Sequence, residues 1–147
     1  MASALAGRLV EDGHELECRV YFEDTDFSGV VYHARYLHFL ERGRSDFLRL
    51  KGIGHRELLS GSFGEPMAFA VRKMEIEFLR PARIDDVLLV STRTRQLGGA
   101  RVLLDQTISR DGEVLIEANV KVAVISPDGK PMRMPKRVLE VLAPDPE

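Results

Sequence analysis

The chain has 147 residues, 44% of them apolar and 30% charged, with a formal net charge of −2. Those values describe one ordinary globular domain able to bury a real core, and they exclude a bulk attraction to nucleic acid or to an anionic membrane. A single cysteine, Cys18, excludes an internal disulfide and a cysteine-based zinc site, which suits a reducing, cytoplasmic compartment.

Met1 to Gly13 has no basic region followed by an apolar run, so it does not read as a signal peptide, and no apolar run is long enough to span a membrane. Residues 1–13 are expected to be a flexible N-terminal segment, 14–142 a single domain and 143–147 a C-terminal tail. Leu16, Cys18, Val20 and Phe22 alternate with Glu17, Arg19, Tyr21 and Glu23, which predicts a first strand with one buried face. Glu23 to Gly29 reads as a loop from its Asp, Ser and Gly content.

From Tyr32 to Lys51 the period changes. Tyr36, Leu40, Gly43, Phe47 and Leu50 fall at spacings of four and three, one face of a long helix. Arg42 and Asp46 are four apart on its polar side and are expected to pair. Gly43 costs roughly 1 kcal/mol inside a helix, a cost that close approach to a sheet would offset. Gly52 and Gly54 stop the helix, and His55 to Ser60 predicts a short second one.

The rest is strand signal. Met74, Ile76 and Phe78 alternate with charged residues, Pro81 to Asp86 turns the chain, and Val87 to Gln96 is a strand. Val102, Leu104, Gln106 and Ile108 alternate again, and Asp111-Gly112 is a strong hairpin signal. Val114 to Val124 gives the longest alternation, Asp128-Gly129 turns once more, and Pro135 to Leu142 predicts a closing helix. The order is strand, long helix, then a meander of four strands. That predicts an α+β fold with a five-stranded antiparallel sheet and the helix on one face. One helix cannot cover both faces of five strands, so an oligomer is expected.

The stretch between first strand and helix concentrates the chemistry. Asp24 and Asp26 flank Thr25, Gly29 lets a ligand approach the backbone, and His33 stands at the helix entrance. The amides near Tyr32, His33 and Ala34 lack intrahelical acceptors, and Val30 and Val31 offer no capping side chain. A helix N-terminus of this kind holds anions or a developing oxyanion. A carboxylate beside it can attack an electrophilic carbonyl or activate water. By itself an Asp-Thr-Asp loop is an ordinary solvated turn, and a histidine at a helix start an ordinary surface residue. His14, His38 and His55 have no carboxylate or cysteine at ligand spacing, so no metal site is expected. Ser28 and Ser45 lack a Gly-x-Ser-x-Gly elbow, against a serine hydrolase. Arg133, Lys136 and Arg137 form the densest late basic cluster, a candidate for phosphate contacts and equally a plain surface cluster.

Tyr21 to Arg44, with its Asp-Thr-Asp-x-x-Gly-Val-Val-Tyr-His core, resembles the signature of YbgC-type acyl-CoA thioesterases, in the 4-hydroxybenzoyl-CoA thioesterase group of the hotdog superfamily. Leu79-Arg-Pro-Ala-Arg-Ile-Asp-Asp-Val87 resembles the same group. The resemblance implies a hotdog fold, a curved antiparallel sheet wrapped around one long central helix. It implies hydrolysis of acyl-CoA at a subunit interface without cofactor or metal, in a homodimer or homotetramer. It puts the essential carboxylate on Asp26 and the active-site histidine on His33. The residues themselves lead us to expect Gly29 and Tyr32 to line the substrate and Asp24 to be structural. Phe22 departs from the pattern, where members often carry a second tyrosine. The implied substrate is an acyl-CoA or an acyl carrier protein thioester. A hotdog dehydratase would need a different histidine–carboxylate arrangement. The remaining alternative is a non-catalytic acyl-thioester-binding partner of phospholipid-synthesis or Tol-Pal envelope proteins, since the family is associated with both.

Overall fold

The computed structural model describes residues 6–144. Its elements are β1 (Arg8–Val10), β2 (Gly13–Arg19), a 3₁₀ turn (Phe22–Asp24), α1 (His33–Leu50), α2 (His55–Leu59), β3 (Ala68–Phe78), β4 (Val87–Leu97), β5 (Arg101–Arg110), β6 (Glu113–Ile125), β7 (Pro131–Met132) and α3 (Lys136–Leu142). The fold is the expected hotdog: one antiparallel sheet in the order β1-β2-β4-β5-β6-β3, with β7 pairing β6, and α1 packed on one face.

Four expectations need correction. The sheet has seven strands rather than five, because β1 and β7 are too short to show a period. The strand pairing begins at Arg8, inside the segment expected to be flexible; residues 1–5 and 145–147 of the expected termini lie outside the described residues. The last four long strands are not a simple meander. β3 pairs with β6, not β4, so residues 79–86 are no hairpin but cross the end of the sheet. That crossing carries the segment beneath the start of α1. Finally, Phe22 leaves the sheet and is 80% exposed, although the alternation put it on the buried face with Val20.

The interior follows the periodicities. Leu88, Val90 and Thr92 of β4, Val102, Leu104, Gln106 and Ile108 of β5, and Ile116, Ala118, Val120, Val122 and Val124 of β6 are buried together against Tyr36, Phe39, Leu40 and Phe47 of α1. A bulge breaks the β5–β6 register near Ser109 and lets both Leu115 and Ile116 turn inward. The Leu115 carbonyl then accepts the amides of Leu79 (2.8 Å) and Arg80 (3.2 Å), which starts the crossing segment. Gly43 lies where α1 touches the sheet: a Cβ there would stand 2.7 Å from Val90 Cγ1. Buried Gln106 is satisfied, donating to the Leu40 carbonyl (2.9 Å) and Thr92 Oγ1 (2.8 Å) and accepting from Arg44 (3.0 Å).

Asp46 does not pair with Arg42. It is buried and accepts from His14 Nε2 (2.6 Å) and the Gly7 amide (2.7 Å), with Arg49 on its other oxygen. Helical spacing brings Arg42 near, but the β1–β2 hairpin covers that side of α1 and supplies the partners. No described helix is long and apolar enough to cross a membrane.

Candidate active site at the entrance of helix α1

The loop is built by its own hydrogen bonds. Asp24 is buried, accepts the Tyr21 amide (2.8 Å) and pairs with Arg35 Nε (3.3 Å), which ties the 3₁₀ turn to the first turn of α1. Thr25 and Val31 form an antiparallel bridge, and the Asp26 amide donates to the Val30 carbonyl (2.9 Å). The chain therefore doubles back within five residues, and paired Cα atoms about 5 Å apart put Asp26 beside the approach to the helix. Gly29 makes the turn at φ +87°, a left-handed conformation suited to glycine, with nothing within 4 Å of where a Cβ would be.

Asp26 is partly exposed and has no charged partner among the described residues. Its Oδ1 accepts both the Ser28 hydroxyl (2.5 Å) and the Ser28 amide (2.8 Å). The Ser28 hydroxyl is the main reason its pKa lies below the ordinary carboxylate range, with the Ser28, Val30 and Gly29 amides assisting. The group is an anion near neutral pH. The two aspartates thus differ: Asp24 is a strut, and Asp26 is a carboxylate with an uncommitted oxygen.

Tyr32 is the residue before the helix, and no side chain caps it. Its own amide is not free as expected; it reaches the Asp24 carbonyl at 3.4 Å. The amides of His33 and Ala34 have no acceptor among the described residues. The His33 ring is exposed and stacks edge-on against Phe78, with centroids 4.8 Å apart. Val30, Val31, His33, Tyr36, Phe78 and Pro81 line a recess at this point.

The crossing segment clasps the loop. Val30 bridges Arg83, the Val31 amide donates to the Ala82 carbonyl (2.9 Å), and the Ala82 amide donates to the buried Tyr36 hydroxyl (2.9 Å). Asp86 anchors the segment by accepting from the Arg83 amide (2.8 Å) and Arg110 (2.7 Å). Both bonds outweigh the burial that pushes the Asp86 pKa up, and its carboxyl sits below the ordinary range.

The basic cluster lies elsewhere. Arg133 packs on Gly99 in the β4–β5 turn, and Lys136 and Arg137 open α3; all three are exposed. β4 is 11 residues long, so that turn stands about 35 Å along the strand from the Asp86 end. One chain does not bring these residues to Asp26. A second recess, about 130 Å³ and mostly apolar, lies between α1 and β3, β5 and β6, with Glu41, Ser45 and His55 joined by hydrogen bonds at 2.7 and 3.0 Å on its wall.

Residues 28–117 match the sequence model of the Thioesterase superfamily. The chain belongs to the thioesterase superfamily. It is a thioester hydrolase by that membership. It is 40% identical over 131 residues to the acyl-CoA thioesterase YbgC of Haemophilus influenzae, covering 88% of this chain and 94% of that one. It is 40% identical over 123 residues to the acyl-CoA thioester hydrolase YbgC of Escherichia coli O6:H1, covering 82% and 89%. Among solved structures, a probable thioesterase from Bartonella henselae superposes with a TM-score of 0.81 at 52% identity, over 84% of this chain and 99% of that one. A 1,4-dihydroxy-2-naphthoyl-CoA thioesterase from Synechocystis superposes at 0.76 with 26% identity, over 87% and 93%.

The superfamily match starts two residues after Asp26 and takes in the helix entrance and the whole crossing segment. Two contacts of the candidate site are not legible in the sequence. Ser28 lacks the elbow of a nucleophile, but Asp-x-Ser spacing is also the signal for a side chain that accepts the amide two residues on. Tyr36 was placed in the core, and nothing local announces that its hydroxyl meets Ala82, 46 residues away.

Proposed function

We propose that this thioesterase hydrolyses the thioester of an acyl-CoA, with Asp26 as nucleophile or general base and the His33 amide as oxyanion donor. The observation that carries the reading is an ionised carboxylate with one free oxygen beside an uncapped helix start. As a base, Asp26 takes a proton from water while the water oxygen bonds to the carbonyl carbon. The carbonyl oxygen gains charge and is held by the His33 and Ala34 amides. Collapse breaks the C–S bond, and the departing thiolate recovers the proton from Asp26. As a nucleophile, an Asp26 oxygen bonds to the carbonyl carbon, the C–S bond breaks and the coenzyme A thiolate leaves, giving a mixed anhydride; water then cleaves it to the free acid and the Asp26 carboxylate, and the proton released goes to the thiolate. The YbgC relatives carry acyl-CoA in their names, which supports coenzyme A over acyl carrier protein as the thiol. The proposed setting is cytoplasmic.

β3 is an 11-residue edge strand whose outer side is unpaired, and Val71 and Phe78 on it are 46% exposed. Such an edge invites strand pairing. A two-fold antiparallel pairing of two copies about its middle sets the Phe78 end of one against the Phe69 end of the other. We therefore place the site between two subunits, with Arg133, Lys136 and Arg137 available to coenzyme A phosphates only from a neighbouring chain.

The test is release of free thiol from short, long and aromatic acyl-CoAs. Asp26→Asn keeps the shape of the side chain but removes base and nucleophile, so kcat should fall about 10²- to 10⁴-fold. Acyl-CoA binding without hydrolysis by the wild-type protein across the panel would instead favour the non-catalytic partner reading.

A further inference from the structure

We propose that Ser28 is a positioning residue for Asp26, fixing which carboxylate oxygen reacts. The inference rests on the catalytic reading of Asp26. A free aspartate rotates about its last torsion and presents either oxygen. Here the Ser28 hydroxyl (2.5 Å) and amide (2.8 Å) both fall on Oδ1, and Oδ2 accepts no hydrogen bond among the described residues. Two donors on one oxygen stop the rotation and leave Oδ2 as the single face for substrate or water. Geometry held in advance lowers the entropy lost on reaching the transition state.

The hydroxyl supplies more than a turn. A backbone amide alone makes the common Asx turn, and any residue at position 28 retains it. The hydroxyl bond is particular to Ser or Thr. It also stabilises the ionised form, and no competing charge does so. Asp24 is committed to Arg35, and Asp86 to Arg110. The neighbouring segments also carry Tyr21, Glu23, Tyr32, His33, Arg80, Arg83 and Asp85, and the causes of the Asp26 shift are hydrogen bonds and burial rather than any of these groups' charge.

Removing the hydroxyl should therefore change position and acidity together. Ser28→Ala should lower kcat about tenfold with KM within about twofold. The acid limb of its pH–rate profile should move to higher pH, because the carboxylate loses its main stabilising donor. Ser28→Thr keeps the hydroxyl and should restore the wild-type limb. Ser28 is exposed at a turn, so folding of both variants is checked by thermal melting. The inference is overturned if Ser28→Ala keeps the wild-type kcat and limb while Asp26→Asn is inactive; the reading of Asp26 then stands. It is equally overturned if kcat drops with the limb unmoved, or if Thr fails as Ala does. An Asp26→Asn variant with wild-type kcat removes both.

Discussion

At the scale of single residues, three aspartates of similar chemistry have three fates set by their neighbours. Asp26 is held at one oxygen and partly exposed, Asp24 braces the loop through Arg35, and Asp46 is buried against His14. Asp24→Asn should slow turnover far less than Asp26→Asn while lowering the melting temperature, since it weakens the tie to Arg35. The buried pair makes a stronger prediction. Removing His14 takes one donor from the buried Asp46 carboxylate, which keeps the Gly7 amide and Arg49, and costs about 1–3 kcal/mol. His14→Ala should show that loss in urea unfolding, with no direct effect on KM. Burial pushes the Asp46 pKa up, but bonds from His14, Gly7 and Arg49 override it, and the folded value is depressed. A depressed carboxylate contributes stability that is full above its unfolded pKa, about 3.9, and disappears as pH falls through the folded value. Melting temperature should thus fall more steeply below about pH 4 in the wild type than in Asp46→Asn.

At the scale of elements, α1 serves the core and, in the proposed mechanism, the chemistry, and each duty leaves a mark. Its interior glycine departs from helix propensity, which favours alanine by about 1 kcal/mol. Here the added methyl would meet Val90 Cγ1 at 2.7 Å and Thr92 Oγ1 at 3.2 Å. Gly43→Ala should destabilise by about 1–3 kcal/mol, the reverse of the propensity scale; a raised melting temperature would show that the helix can move away. Its entrance lacks a capping side chain, a stability forgone where the free amides are wanted. The crossing segment keeps that entrance in place. Tyr36→Phe leaves the buried Ala82 amide without an acceptor, at about 1–3 kcal/mol. The expected result is a lower kcat together with lower stability, measured by thiol release and urea unfolding.

At the scale of the whole molecule, the proposed assembly brings the edge strand and the distant basic cluster against a second copy. Light scattering at micromolar concentration should give at least twice the mass of one chain. Val71→Asp places a charge on the exposed edge and should shift the protein toward monomer with loss of activity. If Arg133, Lys136 or Arg137 reaches a coenzyme A phosphate, its replacement by alanine should raise KM more than it lowers kcat, an effect that shrinks with salt. Unchanged KM in all three variants would remove the cluster from the site.

Periodicity and turn chemistry are local, and they determined what is local. The 3.6-residue pattern marked α1, the two-residue pattern marked β4, β5 and β6, and Asp111-Gly112 marked a hairpin whose two residues both take positive φ. The Asp-Thr-Asp stretch and the uncapped helix start are likewise local features, legible in the sequence as a candidate site. What the chain brings together across long separations was decided only in three dimensions. The same alternation describes β3 beside β4 or beside β6, so the crossing of residues 79–86 and its clasp on the loop were not visible. Helical spacing offered Arg42 to Asp46, and the β1–β2 hairpin supplied His14 from 32 residues away. A carboxylate takes the partner that tertiary packing delivers and holds dry, and no local pattern encodes which one that is.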